Sequence, residues 1–110
     1  MPARRIKTNQ IELQIQDTSQ DGAAILFLHF SGANLKMWAR AVPFFRDDYR
    51  VILVDLRGHG RSDRPDSGYN MDDMAGDVIG VMDQLSLERA HVVGSSLGAE
   101  VGLSMAAKDR

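Results

Sequence analysis

The stretch Gly94-Ser95-Ser96-Leu97-Gly98 decides how the rest of the chain is interpreted. It follows the apolar run Ala90-His91-Val92-Val93 and leads into small, helix-forming residues from Leu97 to Lys108. This order predicts a strand, a sharp turn and a helix, with the Ser96 hydroxyl above the end of a sheet. The flanking glycines are expected because side chains would collide in so tight a turn, and Ser96 is expected to hold an unfavourable backbone angle. Ser96 is therefore the candidate nucleophile, and a structural serine that caps the helix is the alternative.

Composition excludes several classes of partner. The chain has 110 residues, a net charge of -2, and thirteen basic and fifteen acidic residues that are interspersed. This pattern predicts neither a nucleic-acid partner nor an anionic membrane surface. No uninterrupted apolar stretch approaches a membrane span, which favours a cytoplasmic protein. Cysteine is absent, so disulfides and thiolate metal sites are excluded, and no metal or cofactor is expected.

Three apolar patterns predict strands in the first half of the chain. Ile11, Leu13 and Ile15 alternate with polar residues, which indicates a half-exposed antiparallel strand in a hairpin. Residues 23–28 contain no polar residue, and residues 49–55 form a strongly β-branched run; both are typical of strands buried in a parallel sheet.

Two further segments show helical spacing. Residues 35–45 carry apolar side chains at helical intervals, with a kink expected at Pro43. Residues 71–85 carry a methionine-rich apolar stripe, which we interpret as core, and Asn70 is a plausible N-cap. The acidic residues of this helix are expected on its solvent side; they are Asp72, Asp73, Asp77 and Asp83.

Strands that alternate with helices predict an α/β fold with a mostly parallel sheet of about five strands and flanking helices. In such sheets, functional groups gather at the carboxyl ends of the strands. One shared edge is therefore predicted for residues 29–34, 55–61 and 94–98.

Three segments together resemble signatures of the α/β-hydrolase superfamily. They are Leu28-His29-Phe30-Ser31-Gly32 followed by Met37-Trp38, then Asp55-Leu56-Arg57-Gly58-His59-Gly60-Arg61-Ser62-Asp63, and Val93-Gly94-Ser95-Ser96-Leu97-Gly98. The resemblance extends from about Ile11 to Ala107 and covers only the first half or so of that fold. Residues 1–110 are thus predicted to form a single, incomplete α/β-hydrolase domain.

The resemblance implies a serine hydrolase of an ester, lactone or related acyl compound, with a small-molecule substrate and no cofactor. Ser96 would be the nucleophile, unlike the aspartate of haloalkane dehalogenases and epoxide hydrolases. The oxyanion donors would be the backbone N–H groups of Leu97 and Ser31. Relatives usually carry glycine where this chain has Phe30, so the Phe30 N–H is the alternative donor. The Phe30 ring either walls the acyl pocket or fills core.

The three histidines have structural interpretations. The resemblance implies that His29 fastens the oxyanion loop by hydrogen bonds. His59 belongs to a structural loop in which the arginines and Asp63 hold backbone groups. His91 is expected to be a satisfied sheet residue.

The acid and the histidine of the family's triad normally follow the serine in the chain. Only twelve residues follow Gly98, and none is histidine. The chain is therefore expected to be an inactive, truncated part of a hydrolase. The alternative is a catalytically inactive short fold that serves association or binding. Residues 90–94 would form an exposed apolar edge, so a homo-oligomer is expected through this strand or the final helix.

Overall fold

A computed structural model of the chain describes residues 2–108. Within them lies one five-stranded sheet with the strand order β1-β2-β4-β3-β5. Strand β3 pairs in parallel with β4 and β5, whereas β2 is antiparallel to β1 and β4, so four of the five strands share one direction. The predicted α/β fold with a mostly parallel sheet is confirmed. The strands are β1 (Ala3–Thr8), β2 (Ile11–Asp17), β3 (Ala24–Leu28), β4 (Arg50–Val54) and β5 (His91–Gly94).

The helices are α1 (Val42–Phe45), α2 (Met71–Gln84) and α3 (Leu97–Lys108), preceded by a 3₁₀ helix at Leu35–Trp38. None of the helices in residues 2–108 is both long and apolar enough to cross a bilayer. The helical structure predicted over residues 35–45 is present, but as two short helices separated by a turn at residues 39–41 rather than as one helix with a kink at Pro43. Pro43 lies in the first turn of α1, where its missing N–H leaves no hydrogen bond unmade.

Helix α2 follows the prediction except at one residue. The Asn70 side chain caps it by accepting the Asp73 N–H at 2.8 Å. The methionine-rich stripe is core, as predicted, and includes the buried side chains of Met74, Ala75, Val78 and Met82. Asp77 was expected on the solvent side but is 1% exposed, because it pairs with a buried arginine described below.

Alternate residues of β3 and β4 supply two separate cores. Leu26, Leu28, Ile52 and Val54 face α2 and α3, while Ile25, Phe27, Val51 and Leu53 face the 3₁₀ helix and α1. Each fully buried aliphatic or phenylalanine side chain contributes about 1.5–3 kcal/mol. These two strands therefore carry much of the stability, and their carboxyl ends are firmly placed.

Strand β5 lies at the edge of the sheet and pairs only with β3 among the described residues. Its residues Val92 and Val93 are 37% and 39% exposed, and Leu103 on the adjacent α3 is 73% exposed. A groove of about 680 Å³ runs along β5, α3 and the end of α2. The expectation of an exposed apolar edge at this strand is confirmed.

Candidate active site

The strand register brings three loops to one edge of the sheet. Leu28 is paired with Val54 on one side and with Gly94 on the other. The Ser95 N–H donates to the Leu28 carbonyl at 3.1 Å and extends this pairing by one residue. The loops that follow β3, β4 and β5 therefore begin at the same level. The predicted shared edge for residues 29–34, 55–61 and 94–98 is confirmed.

The turn between β5 and α3 has the geometry expected of a nucleophile elbow. Ser96 is exposed and holds a left-handed backbone angle, with φ +52°. A Cβ on Gly94 would lie 2.5 Å from both the carbonyl carbon of Gly98 and the nitrogen of Ala99, as the collision argument predicted. A Cβ on Gly98 would instead lie 2.1 Å from the carbonyl oxygen of Leu28. Gly98 is thus required by the close contact between α3 and β3.

The loop after β3 forms a tight turn beside the elbow. The Ala33 N–H donates to the Phe30 carbonyl at 3.1 Å, and Gly32 holds φ +86°. Ser31 is exposed in this turn. The Phe30 side chain is 44% exposed, so it does not fill the core. Leu97 is the first residue of α3, where N–H groups point out of the helix without an intrahelical acceptor.

His29 connects the loop that follows β3 to the loop that follows β4 through hydrogen bonds of its ring. Its ring is fully buried, with Nδ1 at 2.8 Å from the Phe30 carbonyl oxygen. Its Nε2 accepts the Leu56 N–H at 3.0 Å, so the neutral ring carries its proton on Nδ1. Burial lowers the pKa of His29, and the nearby His59 acts in the same direction. The predicted fastening role is confirmed.

We expect the free energy of unfolding to fall as pH drops below about 6.5, the ordinary pKa of histidine. His29 has a lowered pKa in the folded chain, so the unfolded chain takes up a proton first. The stabilising contribution of neutral His29 is complete above about pH 6.5 and is lost as pH falls through the lower folded value. Protonation also removes the acceptor for the Leu56 N–H. Urea unfolding between about pH 8 and pH 5 measures this dependence.

The variant His29→Gln should lose this part of the pH dependence, and His91→Gln, at an exposed ring, is the matched control. The pKa values of Asp17 and Asp63 are both lowered, so these carboxylates titrate below this range. An unchanged slope in His29→Gln would contradict the expected protonation of this ring.

The other two histidines lie in different parts of the fold. His59 Nδ1 lies 2.9 Å from the Arg57 carbonyl oxygen, in the loop after β4. The His59 ring packs against the His29 ring, with 4.8 Å between the ring centroids. His91 is the first residue of β5, at the end opposite the elbow. It is a sheet residue as predicted, but its side chain is exposed.

Asp55 connects the loops in a way that the sequence analysis missed. One carboxylate oxygen accepts the Leu35 N–H at 2.7 Å. The other accepts the Arg61 N–H at 3.0 Å and the Gln14 side-chain amide at 3.1 Å. A Cβ on Gly60 would lie 2.2 Å from this carboxylate. The sequence feature that could have indicated this role of Asp55 is its position directly after a buried strand and before a glycine-rich loop.

Arg57 forms the buried ion pair with Asp77 mentioned above. Two guanidinium nitrogens donate to the Asp77 carboxylate at 2.8 and 2.7 Å, and these bonds raise the pKa of Arg57. The third guanidinium nitrogen donates to the Ser67 carbonyl at 2.9 Å. The predicted contact of Arg57 with a backbone group is therefore present, but the ion pair with Asp77 is its main interaction. Asp63 accepts the Glu12 N–H at 2.8 Å, which confirms its predicted role.

Within residues 2–108, no three side chains of histidine, cysteine, aspartate or glutamate are grouped as metal ligands. The chemistry that the arrangement offers is that of an exposed hydroxyl beside outward-pointing N–H groups at a helix start.

A family model described as alpha/beta hydrolase fold matches residues 23–110. The chain belongs to the α/β-hydrolase fold family. This α/β hydrolase is 39% identical over 82 residues to 3-oxoadipate enol-lactonase 2 of Acinetobacter baylyi. The aligned residues cover 74% of the chain and 31% of that protein. It is 35% identical over 106 residues to 2-(acetamidomethylene)succinate hydrolase of Mesorhizobium japonicum. That alignment covers 96% of the chain and 38% of the relative.

Solved structures show the same similarity. The crystal structure of the enol-lactonase from Burkholderia xenovorans LB400 matches the α/β hydrolase with a TM-score of 0.91 and 32% identity, over 96% of the chain and 42% of that structure. The chain thus spans between 31% and 42% of the length of these relatives.

Proposed function

We propose that this chain carries the nucleophile of a serine-dependent hydrolase that acts on an ester, lactone or related small acyl compound. The observation that carries the proposal is the left-handed Ser96, exposed between the end of β5 and the start of α3. A non-glycine residue in this backbone conformation costs about 1–3 kcal/mol, and such strain is concentrated at functional sites. The names of the two curated relatives, an enol-lactonase and a hydrolase, support the same reaction class.

In the proposed reaction, the Ser96 hydroxyl oxygen attacks the acyl carbonyl carbon while a general base takes its proton. The tetrahedral oxyanion receives hydrogen bonds from the Leu97 N–H and from the Ser31 N–H, with the Phe30 N–H as the alternative to Ser31. The hydrogen bonds of His29 and the Ser95 N–H hold these donors in place before substrate arrives. The Phe30 ring, being exposed, is free to wall the acyl pocket.

We further propose that the base and its acid partner lie outside these 110 residues. His29 has both ring nitrogens engaged, His59 has its Nδ1 at the Arg57 carbonyl, and His91 lies at the end of β5 opposite the elbow. Without a base, a serine hydroxyl is a weak nucleophile at neutral pH. The 110-residue chain alone is then a poor catalyst. The same observation favours the second candidate, an inactive fold for association or binding. The cytoplasmic location stays a prediction from the sequence.

A fluorophosphonate should label Ser96 in the polypeptide that is encoded by the whole open reading frame of the gene. The expected result is a mass increase on the peptide that contains Ser96, because an activated serine attacks phosphorus as it attacks a carbonyl. Peptide mass spectrometry locates the label. In the isolated 110-residue chain, labelling should be slower by a factor of about 10³ or more.

The variants Ser96→Ala and Ser95→Ala separate the two adjacent serines. Ser96→Ala should abolish labelling, and Ser95→Ala should retain it. Labelling of both variants would contradict the assignment of the nucleophile. A reading frame that stops after Arg110, with no labelling, would favour the binding fold, whereas rapid labelling of the 110-residue chain would contradict the proposed absence of a base.

We propose a second copy as the partner of the exposed β5 edge in the isolated chain. Val92 and Val93 are partly exposed on opposite faces of this strand, and Leu103 is exposed on the adjacent α3. The unpaired backbone of an edge strand readily pairs with another chain. At micromolar concentration the 110-residue chain should elute in size-exclusion chromatography above its 12.2 kDa mass. Val92→Lys, which adds a charge to this edge, should shift elution toward the monomer, and a monomeric unmodified chain would contradict the proposal.

A further inference from the structure

A second cavity lies at the functional edge of the sheet, between the loops that follow β3 and β4. Its volume is about 340 Å³. It is separate from the apolar groove along β5 and is lined mainly by polar side chains. The polar residues that line it are Gln14, Asn34, Lys36, Asp55 and Arg61.

The charge balance of this cavity favours an anion. The Asp55 carboxylate oxygens already accept three N–H groups of the protein. The Lys36 and Arg61 side chains form no ion pair within residues 2–108. Glu12 and Asp63, two acidic residues close in sequence to Gln14 and Arg61, are both paired with Arg5. The cavity lining therefore carries two cations and one carboxylate, that of Asp55, and so has a net positive charge.

The position of the cavity relates it to the elbow. It lies at the carboxyl end of β4 and beside β2, which are two and three strands from β5. At the usual strand spacing, this places it about 10–15 Å from Ser96 along the edge of the sheet. A linear acyl compound with an anionic group at its far end spans such a distance.

We infer that Lys36 and Arg61 form a subsite for the carboxylate of an acyl substrate whose reacting carbonyl lies at Ser96. This inference rests on the proposed hydrolase function and specifies its substrate class as carboxylate-bearing esters or lactones. The two cations come from different loops, one on each side of the cavity. The positive charges of Lys36 and Arg61 select substrates that carry a negative charge at the end far from the reacting carbonyl. The length of the substrate between these two groups then places the carbonyl at Ser96. The side-chain oxygen of Asn34 accepts the Lys36 N–H at 2.9 Å, which leaves its NH₂ group as a neutral donor.

The test is a binding titration that does not depend on catalysis. Purified Ser96→Ala protein is titrated with hexanoate while backbone amide shifts of Lys36 and Arg61 are followed by NMR. Saturable shifts are expected with hexanoate and not with hexanamide, its uncharged amide. Lys36→Gln and Arg61→Gln should each weaken binding by up to about fivefold, which is the usual range for an exposed charge pair.

Arg40→Gln, which removes an exposed cation away from this cavity, is the matched control and should bind as well as the parent. Equal shifts with hexanamide, or unchanged binding in a protein that carries both Lys36→Gln and Arg61→Gln, would overturn the subsite. Tighter binding of inorganic phosphate than of hexanoate would overturn the assignment to a carboxylate. Labelling of Ser96 by fluorophosphonate reports separately on the hydrolase function, so labelling without hexanoate binding refutes the subsite alone.

Discussion

Replacing Gly98 with alanine is expected to destabilise the fold by about 3 kcal/mol or more. The added Cβ would lie 2.1 Å from the carbonyl oxygen of Leu28 and 2.5 Å from its carbonyl carbon. Both atoms belong to the backbone of the inner strand β3, which cannot move aside as a flexible side chain would. Overpacking in a core costs about 1–3 kcal/mol, and a collision with backbone lies at or above the top of that range. Urea unfolding of the two proteins measures the difference.

Gly76→Ala is the matched control, because Gly76 also lies in a helix. Its nearest neighbour would be the Asn9 side-chain nitrogen at 3.4 Å, an ordinary contact distance. This substitution should stabilise the protein by about 0.5–1 kcal/mol through helix propensity. If Gly98→Ala proved as stable as Gly76→Ala, the close approach of α3 to β3 would be wrong.

Replacing Arg57 with methionine is expected to cost about 3–5 kcal/mol of unfolding free energy. Arg57 is 6% exposed and Asp77 is 1% exposed, so the substitution leaves a carboxylate buried without its main counter-charge. The Asn9 amide, at 3.0 Å, would be its remaining side-chain donor. The double variant Arg57→Met, Asp77→Leu should recover most of the loss, because an apolar pair removes both desolvation costs.

An exposed ion pair provides the control for this second experiment. Lys108 lies 3.7 Å from Asp72, whose side chain is 80% exposed. Lys108→Met should therefore change the unfolding free energy by less than about 1 kcal/mol. A loss in Arg57→Met no larger than in Lys108→Met would show that the Arg57 pair is open to solvent.

The features that the sequence predicted well are those governed by local pattern. The apolar run of residues 23–28 and the β-branched run of residues 49–55 predicted the positions of β3 and β4, because strands covered on both faces favour such runs. The elbow was predicted from glycines two residues on either side of Ser96, and its left-handed angle follows from the sharpness of the turn. Asn70 was predicted as a cap because its side chain can replace a missing backbone acceptor.

The features that the sequence did not predict depend on partners far along the chain. Asp77 lies on the polar side of α2 by spacing, and only the distant Arg57 explains its burial. Asp55 joins residues from β2 and two loops, so no local pattern reveals its role. The Leu56 N–H, 27 positions along the chain, decides which ring nitrogen of His29 carries the proton. Tertiary hydrogen bonding decided each of these three cases.

The order in which the sheet can form follows from where β3 lies in it. Ile25 pairs with Val51, 26 positions later, and with His91, 66 positions later. Closing the longer loop carries the larger entropy cost, so the inner pair is expected to form before β5 docks. The elbow is then the last part of the sheet edge to assemble. It is also expected to open first in native-state hydrogen exchange, with β5 amides exchanging faster than those of β3 while the inner strands remain folded.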